Sequence, residues 1–165
     1  MRAIFFIFLA IFLVSCGGSA PRKSTDSAKY STSYVFAEST REGADIAIFA
    51  MGLLDTGYKF GGKNPEAGLD CSGMVAYVYR EAAGVQLSGN AASLATQGKF
   101  ILKTHLRAGD LVFFNTMNRK YSHVGIFLGD DKFIHAPNSK GRVRIEKLST
   151  PYWAKRYDGG RTFFQ

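Results

Sequence analysis

The 165 residues are 46% hydrophobic and carry a formal charge of +8, a length and apolar content that suit one domain with a buried core. The charge is lopsided: residues 16–98 hold seven Lys and Arg against eight Asp and Glu, net −1, whereas residues 99–165 hold thirteen against five, net +8. A basic C-terminal half suits an anionic lipid surface or a carboxylate-rich polymer; there is no Gly-rich phosphate loop or nucleic-acid motif, and the export segment described next argues against nucleic acid as a partner.

Met1-Arg2 is a short positive start, residues 3–14 form an apolar run of twelve, and Leu13-Val14-Ser15-Cys16 is followed by Gly17-Gly18. The run is shorter than the ~20 apolar residues needed to span a bilayer. It resembles a bacterial lipoprotein signal, which implies removal of residues 1–15 and acylation of Cys16. The expected location is then a membrane anchor at Cys16, and Gly17 rather than Asp after it fits the outer membrane, facing the periplasm. An acylated Cys16 cannot form a disulfide, so Cys71 is left as an unpaired thiol in an exported chain and a candidate reactive group. Residues 16–38 are rich in Ser, Thr, Lys and Ala, the composition of a flexible tether. The folded domain is expected over residues 39–165.

Ser39-x-x-Glu42 forms a capping-box pattern, and Ile46, Phe49, Ala50, Leu53 and Leu54 recur at helical spacing, which predicts a helix over residues 41–54. Tyr58-Lys59-Phe60 reads as a short extended segment entering a Gly61-Gly62 turn, followed by a loop over residues 63–69. Residues 71–83 lack proline and place Met74, Val75, Val78, Tyr79 and Ala82 on one helical face, with Gly84 as the stop. Cys71 then lies in the first turn, with Asp70 as N-cap. Unpaired N–H groups and the positive dipole end there favour thiolate, so a thiol pKa below that of free cysteine is expected. Another short helix is predicted from Asn90 or Ala91 to Gln97.

Beyond Gly98 the period shortens, and five strands are predicted over residues 111–114, 123–128, 132–135, 143–147 and 161–164. The turn at residues 129–132 makes the second and third an antiparallel hairpin that carries His123 and His135. His123 shares a pleat face with Gly125 and Phe127, and Gly125 leaves space beside the imidazole. The two histidines need not be directly opposed, but a bulge or twist brings neighbouring rows within hydrogen-bond reach. Helices followed by strands is an α+β order. A thiol hydrolase needs a base that takes the thiol proton at one ring nitrogen while an orienting partner holds the other, and Cys71, His123 and His135 supply those roles in chain order. His105 reads as a surface residue, and Tyr152 and Trp153 as residues that close the core. Two histidines and a thiol without clustered carboxylates do not reproduce zinc-ligand spacing, so no metal or other cofactor is expected.

Tyr58-x-x-Gly61-Gly62, Asp70-Cys71-Ser72-Gly73, Leu106-x-x-Gly109-Asp110-Leu111-Val112-Phe113-Phe114, His123-Val124-Gly125-Ile126-Phe127-Leu128-Gly129 and Phe133-Ile134-His135-Ala136 resemble, in order and spacing, the NlpC/P60 peptidoglycan endopeptidases. The resemblance spans about residues 41–165. The tail Pro151-Tyr152-Trp153-x-Lys155-Arg156-Tyr157 further resembles the murein endopeptidase lipoproteins of that family. A papain-like fold is implied, with the Cys-bearing helix packed on a five- to six-stranded antiparallel sheet. The implied reaction is attack by Cys71 on an amide carbonyl of the peptidoglycan stem peptide or cross-link, at a bond involving meso-diaminopimelate, with His123 as general base and then acid, and His135 orienting it. Tyr58 matches a tyrosine that binds substrate or the developing oxyanion, while Asp70 and Ser72 match positions lining the substrate site. The Cys71 N–H is a second oxyanion donor in keeping with its place at a helix start.

A wall-binding lipoprotein that keeps the fold without catalysis is the main rival, although a binding module has no need of Cys71, His123 and His135 together. A thiol acyltransferase or amidase on the same fold is the other, and differs in pocket shape. A monomer is expected in each case.

Overall fold

A computed structural model describes residues 40–138 and 141–164. The signal, Cys16 and the tether expected before residue 39 lie outside the described residues. No helix among the described residues is long and apolar enough to cross a membrane.

Helix α1 spans Arg41–Met51. Its N-cap is Thr40, whose hydroxyl oxygen accepts from the Gly43 N–H at 3.1 Å. The expected cap, Ser39, lies outside the described residues. The helix stops three residues before Leu54 because the chain turns back there: Gly52 N–H donates to the Ile48 and Phe49 carbonyls, and Asp55, at φ 64°, donates its N–H to Val143. The predicted loop after Gly62 contains two short antiparallel strands, β1 (Lys63–Asn64) and β2 (Gly68–Leu69). Tyr58 is bridged to Leu69, and Gly57 to Arg142, which fixes the segment ahead of the thiol.

Helix α2 spans Cys71–Ala83 with Asp70 as N-cap. Gly84 ends it at φ 67°, a left-handed position that glycine takes without a Cβ penalty. Helix α3 (Ala91–Gln97) starts from Asn90, whose side chain accepts from the Ser93 N–H.

Six strands then form one antiparallel sheet: β3 (Lys99–Ile101), β4 (Leu111–Phe114), β5 (His123–Gly129), β6 (Lys132–His135), β7 (Arg144–Lys147) and β8 (Tyr157–Thr162), in the spatial order β3-β8-β4-β5-β6-β7. Strand β3 and the four-residue helix α4 (Pro151–Ala154) go beyond the sequence-based elements. The last strand also begins four residues before Arg161 and ends before Phe163. Its start, Tyr157-Asp158-Gly159-Gly160, has the low strand propensity of Asp and Gly, which concealed it. Those glycines are used: a Cβ on Gly160 would stand 2.9 Å from both Ile101 and Leu106 side chains. Phe163 and Phe164 leave the sheet and pack against Tyr79, with ring centroids 5.4 and 6.0 Å away.

Strand alternation divides the apolar residues between two faces. Leu111 and Phe113 of β4 and Val124, Ile126 and Leu128 of β5 meet α1 and α2 in the main core. The opposite face carries a smaller cluster of Val112, Phe114, Phe127, Phe133, Leu148 and Trp153. His123, in phase with Phe127, and His135, in phase with Phe133, lie on this aromatic face. The hairpin turn is Asp130-Asp131, both at positive φ (53° and 61°), with Gly129 paired to Lys132. Two consecutive left-handed residues match the twist of a tight hairpin.

Candidate active site

Asp70 ties the nucleophile helix to the segment before it. Its Oδ1 accepts from the Gly73 N–H at 2.6 Å and the Ser72 hydroxyl at 3.0 Å, while Oδ2 accepts from the Gly61 N–H at 2.9 Å. Its own N–H donates to the Gly62 carbonyl. Both carboxylate oxygens are therefore engaged in holding the first turn of α2 against the Gly61-Gly62 turn, and Ser72 is part of the same clamp.

His123 Nε2 and His135 Nδ1 are 2.8 Å apart, with the ring planes at 88°. Strand register explains the pairing without a bulge. Ile126 pairs with Ile134 and Phe127 with Phe133, so continuing that register sets His135 across from Gly125 and diagonal to His123. The space at Gly125 serves His135 and its neighbours rather than the His123 ring: a Cβ there would lie 2.7 Å from Phe133, 2.8 Å from the Ile134 carbonyl and 3.3 Å from the His135 Cβ. The one register shift in the hairpin falls between Phe127 and Gly129, away from the histidines. His135 Nε2 is buried and has no hydrogen-bond partner among the described residues.

Tyr58, Asp70, Cys71, Ser72, His123 and Trp153 share one open cleft of about 1270 Å³. Its outer wall mixes charges, with Arg119, Arg144 and Glu146, and its rim carries the exposed Phe60, Met117 and Tyr152. His135 stands behind His123, fully buried, and does not line the cleft. Of the sequence-predicted residues, five meet directly at the cleft, His135 supports one of them from behind, and Cys16 lies outside the described residues. His105 is exposed on a single 3₁₀ turn. Trp153 belongs both to the core and to the cleft; from sequence a core place is the leading expectation and a groove place the lesser one, because a lone Trp on a four-residue helix carries no periodic signal to decide between them.

Protonation corrects one expectation. Burial, reinforced by the negative charge of Asp70, pushes the Cys71 thiol up to about 11, against the opposing pull of the Val124, Ser72 and Cys71 N–H groups. The helix start supplies donors as expected, but desolvation outweighs them. Burial also lowers His123 to about 4, partly offset by Asp70, and lowers His135 to about 2, helped by His123 and Arg144. Tyr58 is raised by burial and by its Cys71 and Asp70 neighbours, so its hydroxyl keeps its proton as a donor. At neutral pH the sulfur is a thiol and both imidazoles are neutral. Alkylation of Cys71 by iodoacetamide should therefore run on the order of tens-fold slower than that of free cysteine at pH 7, after allowance for the greater nucleophilicity of a high-pKa thiolate. The rate should climb until about pH 11; a plateau below pH 8.5 would show that the helix start dominates after all.

Residues 55–162 match the family model described as NlpC/P60 family. Murein DD-endopeptidase MepS/Murein LD-carboxypeptidase of Escherichia coli (strain K12) is 39% identical over 104 residues, covering 63% of this chain and 54% of that protein. Gamma-DL-glutamyl hydrolase of Bacillus subtilis (strain 168) is 39% identical over 123 residues, covering 73% of this chain and 30% of that protein. The chain thus spans about a third to a half of the length of these two curated relatives. Among solved structures, the NlpC/p60 domain of peptidoglycan hydrolase SagA superposes with a TM-score of 0.64 at 33% identity, covering 73% of this chain and 98% of that one. A family match over well more than half of the chain, on the segment that carries the cysteine helix and the histidine hairpin, means that this chain belongs to the NlpC/P60 family.

Proposed function

We propose that this protein is a monomeric cysteine peptidase that hydrolyses an amide bond in peptidoglycan stem peptides or cross-links. The observation that carries the reading is the 2.8 Å contact between His123 Nε2 and His135 Nδ1 beside a cleft shared by His123 and Cys71. With Nε2 engaged, Nδ1 of His123 is the nitrogen left for the thiol. A proton on Nε2 is donated to His135 Nδ1, which fixes the tautomer in which Nδ1 is a base. The Val124 N–H that interacts with the Cys71 sulfur belongs to the residue after His123, which supports their apposition.

Because the resting thiol is neutral, proton transfer accompanies attack instead of preceding it. Cys71 Sγ bonds to the amide carbon as its proton passes to His123 Nδ1. The imidazolium then gives that proton to the leaving amine nitrogen as the C–N bond breaks, leaving a thioester. A water molecule, losing a proton to His123, cleaves the thioester, and the proton returns to sulfur. The Cys71 N–H and the Tyr58 hydroxyl are suited to the oxyanion. Tyr58→Phe should lower kcat by about 10²–10³-fold, the loss typical of one oxyanion donor, with the product pattern unchanged. An unchanged kcat would leave Tyr58 as a packing residue.

The two relatives differ in bond: a DD-endopeptidase and LD-carboxypeptidase on one hand, a gamma-DL-glutamyl hydrolase on the other. The tail resemblance supports a bond involving meso-diaminopimelate. Digestion of sacculi by the full chain in detergent, followed by mass analysis of the released muropeptides, tests activity and bond together. New products ending at meso-diaminopimelate support the reading; a profile equal to that of untreated sacculi overturns it. The lipid anchor at Cys16 and an outer-membrane location facing the periplasm belong to the same proposal, on the support of Leu13-Val14-Ser15-Cys16-Gly17. Cys16→Ser should then move the protein from the membrane fraction to the soluble one.

A further inference from the structure

The base His123 has an aromatic neighbour besides the hairpin residues, carried by the short helix α4. Trp153 is stacked on it with ring planes at 24° and centroids 5.7 Å apart, and meets His135 edge-on at 4.9 Å and 86°. The indole is held in turn by Phe114 at 4.7 Å and Phe133 at 5.1 Å. It is 6% exposed, yet it reaches the cleft wall. Pro151 at the start of α4 and the Trp153 carbonyl, which accepts from the Arg156 N–H, fix the backbone that carries it.

A neutral histidine pair with one hydrogen bond between the rings has a specific electrostatic deficit. The orienting residue is an imidazole, not a carboxylate, so it brings no negative charge to the imidazolium that forms on His123 during attack. The charged groups within reach are few. Asp70, at the cap of α2, favours the cation, and Arg144, on β7, disfavours charge on His135. Cys71 on α2 becomes negative only as its proton leaves, and His135 on β6 stays neutral. The electron-rich face of an indole within about 6 Å of a cation supplies an attraction that needs no formal charge and survives burial.

We infer that Trp153 is a positioning residue for catalysis: its indole face fixes the plane of His123 and stabilises the imidazolium created as Cys71 attacks. It acts through His123 and touches no reacting atom. The inference rests on the proposed Cys71–His123 mechanism, and it separates the role of Trp153 from simple core filling because packing depends on ring shape whereas the attraction depends on ring electron density.

The chain contains a single Trp, so growth on fluorinated tryptophan alters this ring alone and almost isosterically. The full chain in detergent, carrying tryptophan, 5-fluorotryptophan or a more heavily fluorinated analogue, would be assayed on a soluble muropeptide. The expected result is a stepwise fall in kcat with fluorine count, within about 2- to 30-fold overall, and an unmoved KM. Trp153 fluorescence supplies a second readout. It should titrate with a midpoint near pH 4 that coincides with the acid limb of kcat and disappears in His123→Gln. A flat kcat across the fluorinated series, with Cys71→Ala inactive, overturns the inference and leaves the proposed function standing. Activity that survives Cys71→Ala overturns the mechanism beneath both.

Discussion

Cys71→Ala is expected to end the release of muropeptides from sacculi, and His123→Ala to lower kcat by about 10²–10⁴-fold, the range for loss of a positioned general base. The two effects should not add. Each removes one end of a single proton transfer, so the double variant should be no slower than Cys71→Ala alone. The pH dependence gives the sharper check, because His123 must be neutral to accept a proton and burial holds its pKa at about 4. Activity should therefore persist on acidification through the ordinary histidine range and fall only as the pH approaches about 4, where Nδ1 protonates before the thiol can use it. An acid limb near 6.5 would instead report a solvated imidazole. His135→Ala should be milder than His123→Ala in kcat, since it removes the acceptor for Nε2 without removing the base. It should still leave that N–H buried and unpaired, which costs about 1–3 kcal/mol of stability, readable as a lower urea midpoint.

Gly73→Ala should be damaging out of proportion to the one methyl group it adds. A Cβ at residue 73 would collide with the carbonyl of Gly62 and stand 3.2 Å from the Asp70 Oδ1 that caps the helix. The first obstacle is backbone, not the free end of a side chain, so relief requires the start of α2 to move away from the Gly61-Gly62 turn. That motion breaks the Asp70 contacts to Gly61 and Gly73 together. A loss of about 1–3 kcal/mol or more is expected in urea unfolding, as for overpacked cores. The activity loss should exceed what the unfolded fraction explains, because the thiol moves with the helix start. Gly84→Ala is the control. It sits at φ 67° with nothing within 4 Å of the added Cβ, so it should cost about 1 kcal/mol from backbone strain alone and leave kcat in place. Equal effects of the two substitutions would mean that the close approach at Gly73 is not what holds the nucleophile.

The same contrast explains how much of the molecule was readable in advance. Helix α2 was legible to the residue, because Asp70 before it and Gly84 after it are local signals whose physics acts within one turn. The core strand at residues 111–114 was legible because a continuous apolar run has few other fates, and the strand at residues 132–135 because the Gly129-Asp130-Asp131 turn before it marks a hairpin. Strand β3 and the first half of β8 were not. Lys99-Phe100-Ile101 has two exposed residues and one half-buried, and Tyr157-Asp158-Gly159-Gly160 is poor in strand formers. They exist because β8 pairs with β4 and β3 pairs with β8, a long-range gain that no local pattern announces.

In the site, the residue types and their order were legible; the balance of forces was not. The sequence by itself determined which groups are available: one thiol at a helix start, two histidines on one hairpin, a tyrosine ahead of them. It also determined that His123 shares a pleat face with Phe127 and His135 with Phe133, because the two-residue alternation of a strand is set by the backbone; the β5–β6 register then put both histidines on one face. Only the tertiary structure decided that Asp70 spends both carboxylate oxygens on holding the nucleophile helix, and that Gly125 makes room for His135 and Phe133. It alone placed Trp153, from a short helix near the C-terminus, against the ring of His123. It also reversed the expected sign of the thiol shift. A helix dipole is a local property that can be read from spacing, whereas desolvation sums over every element packed around the sulfur, and that sum exists only once the chain has folded.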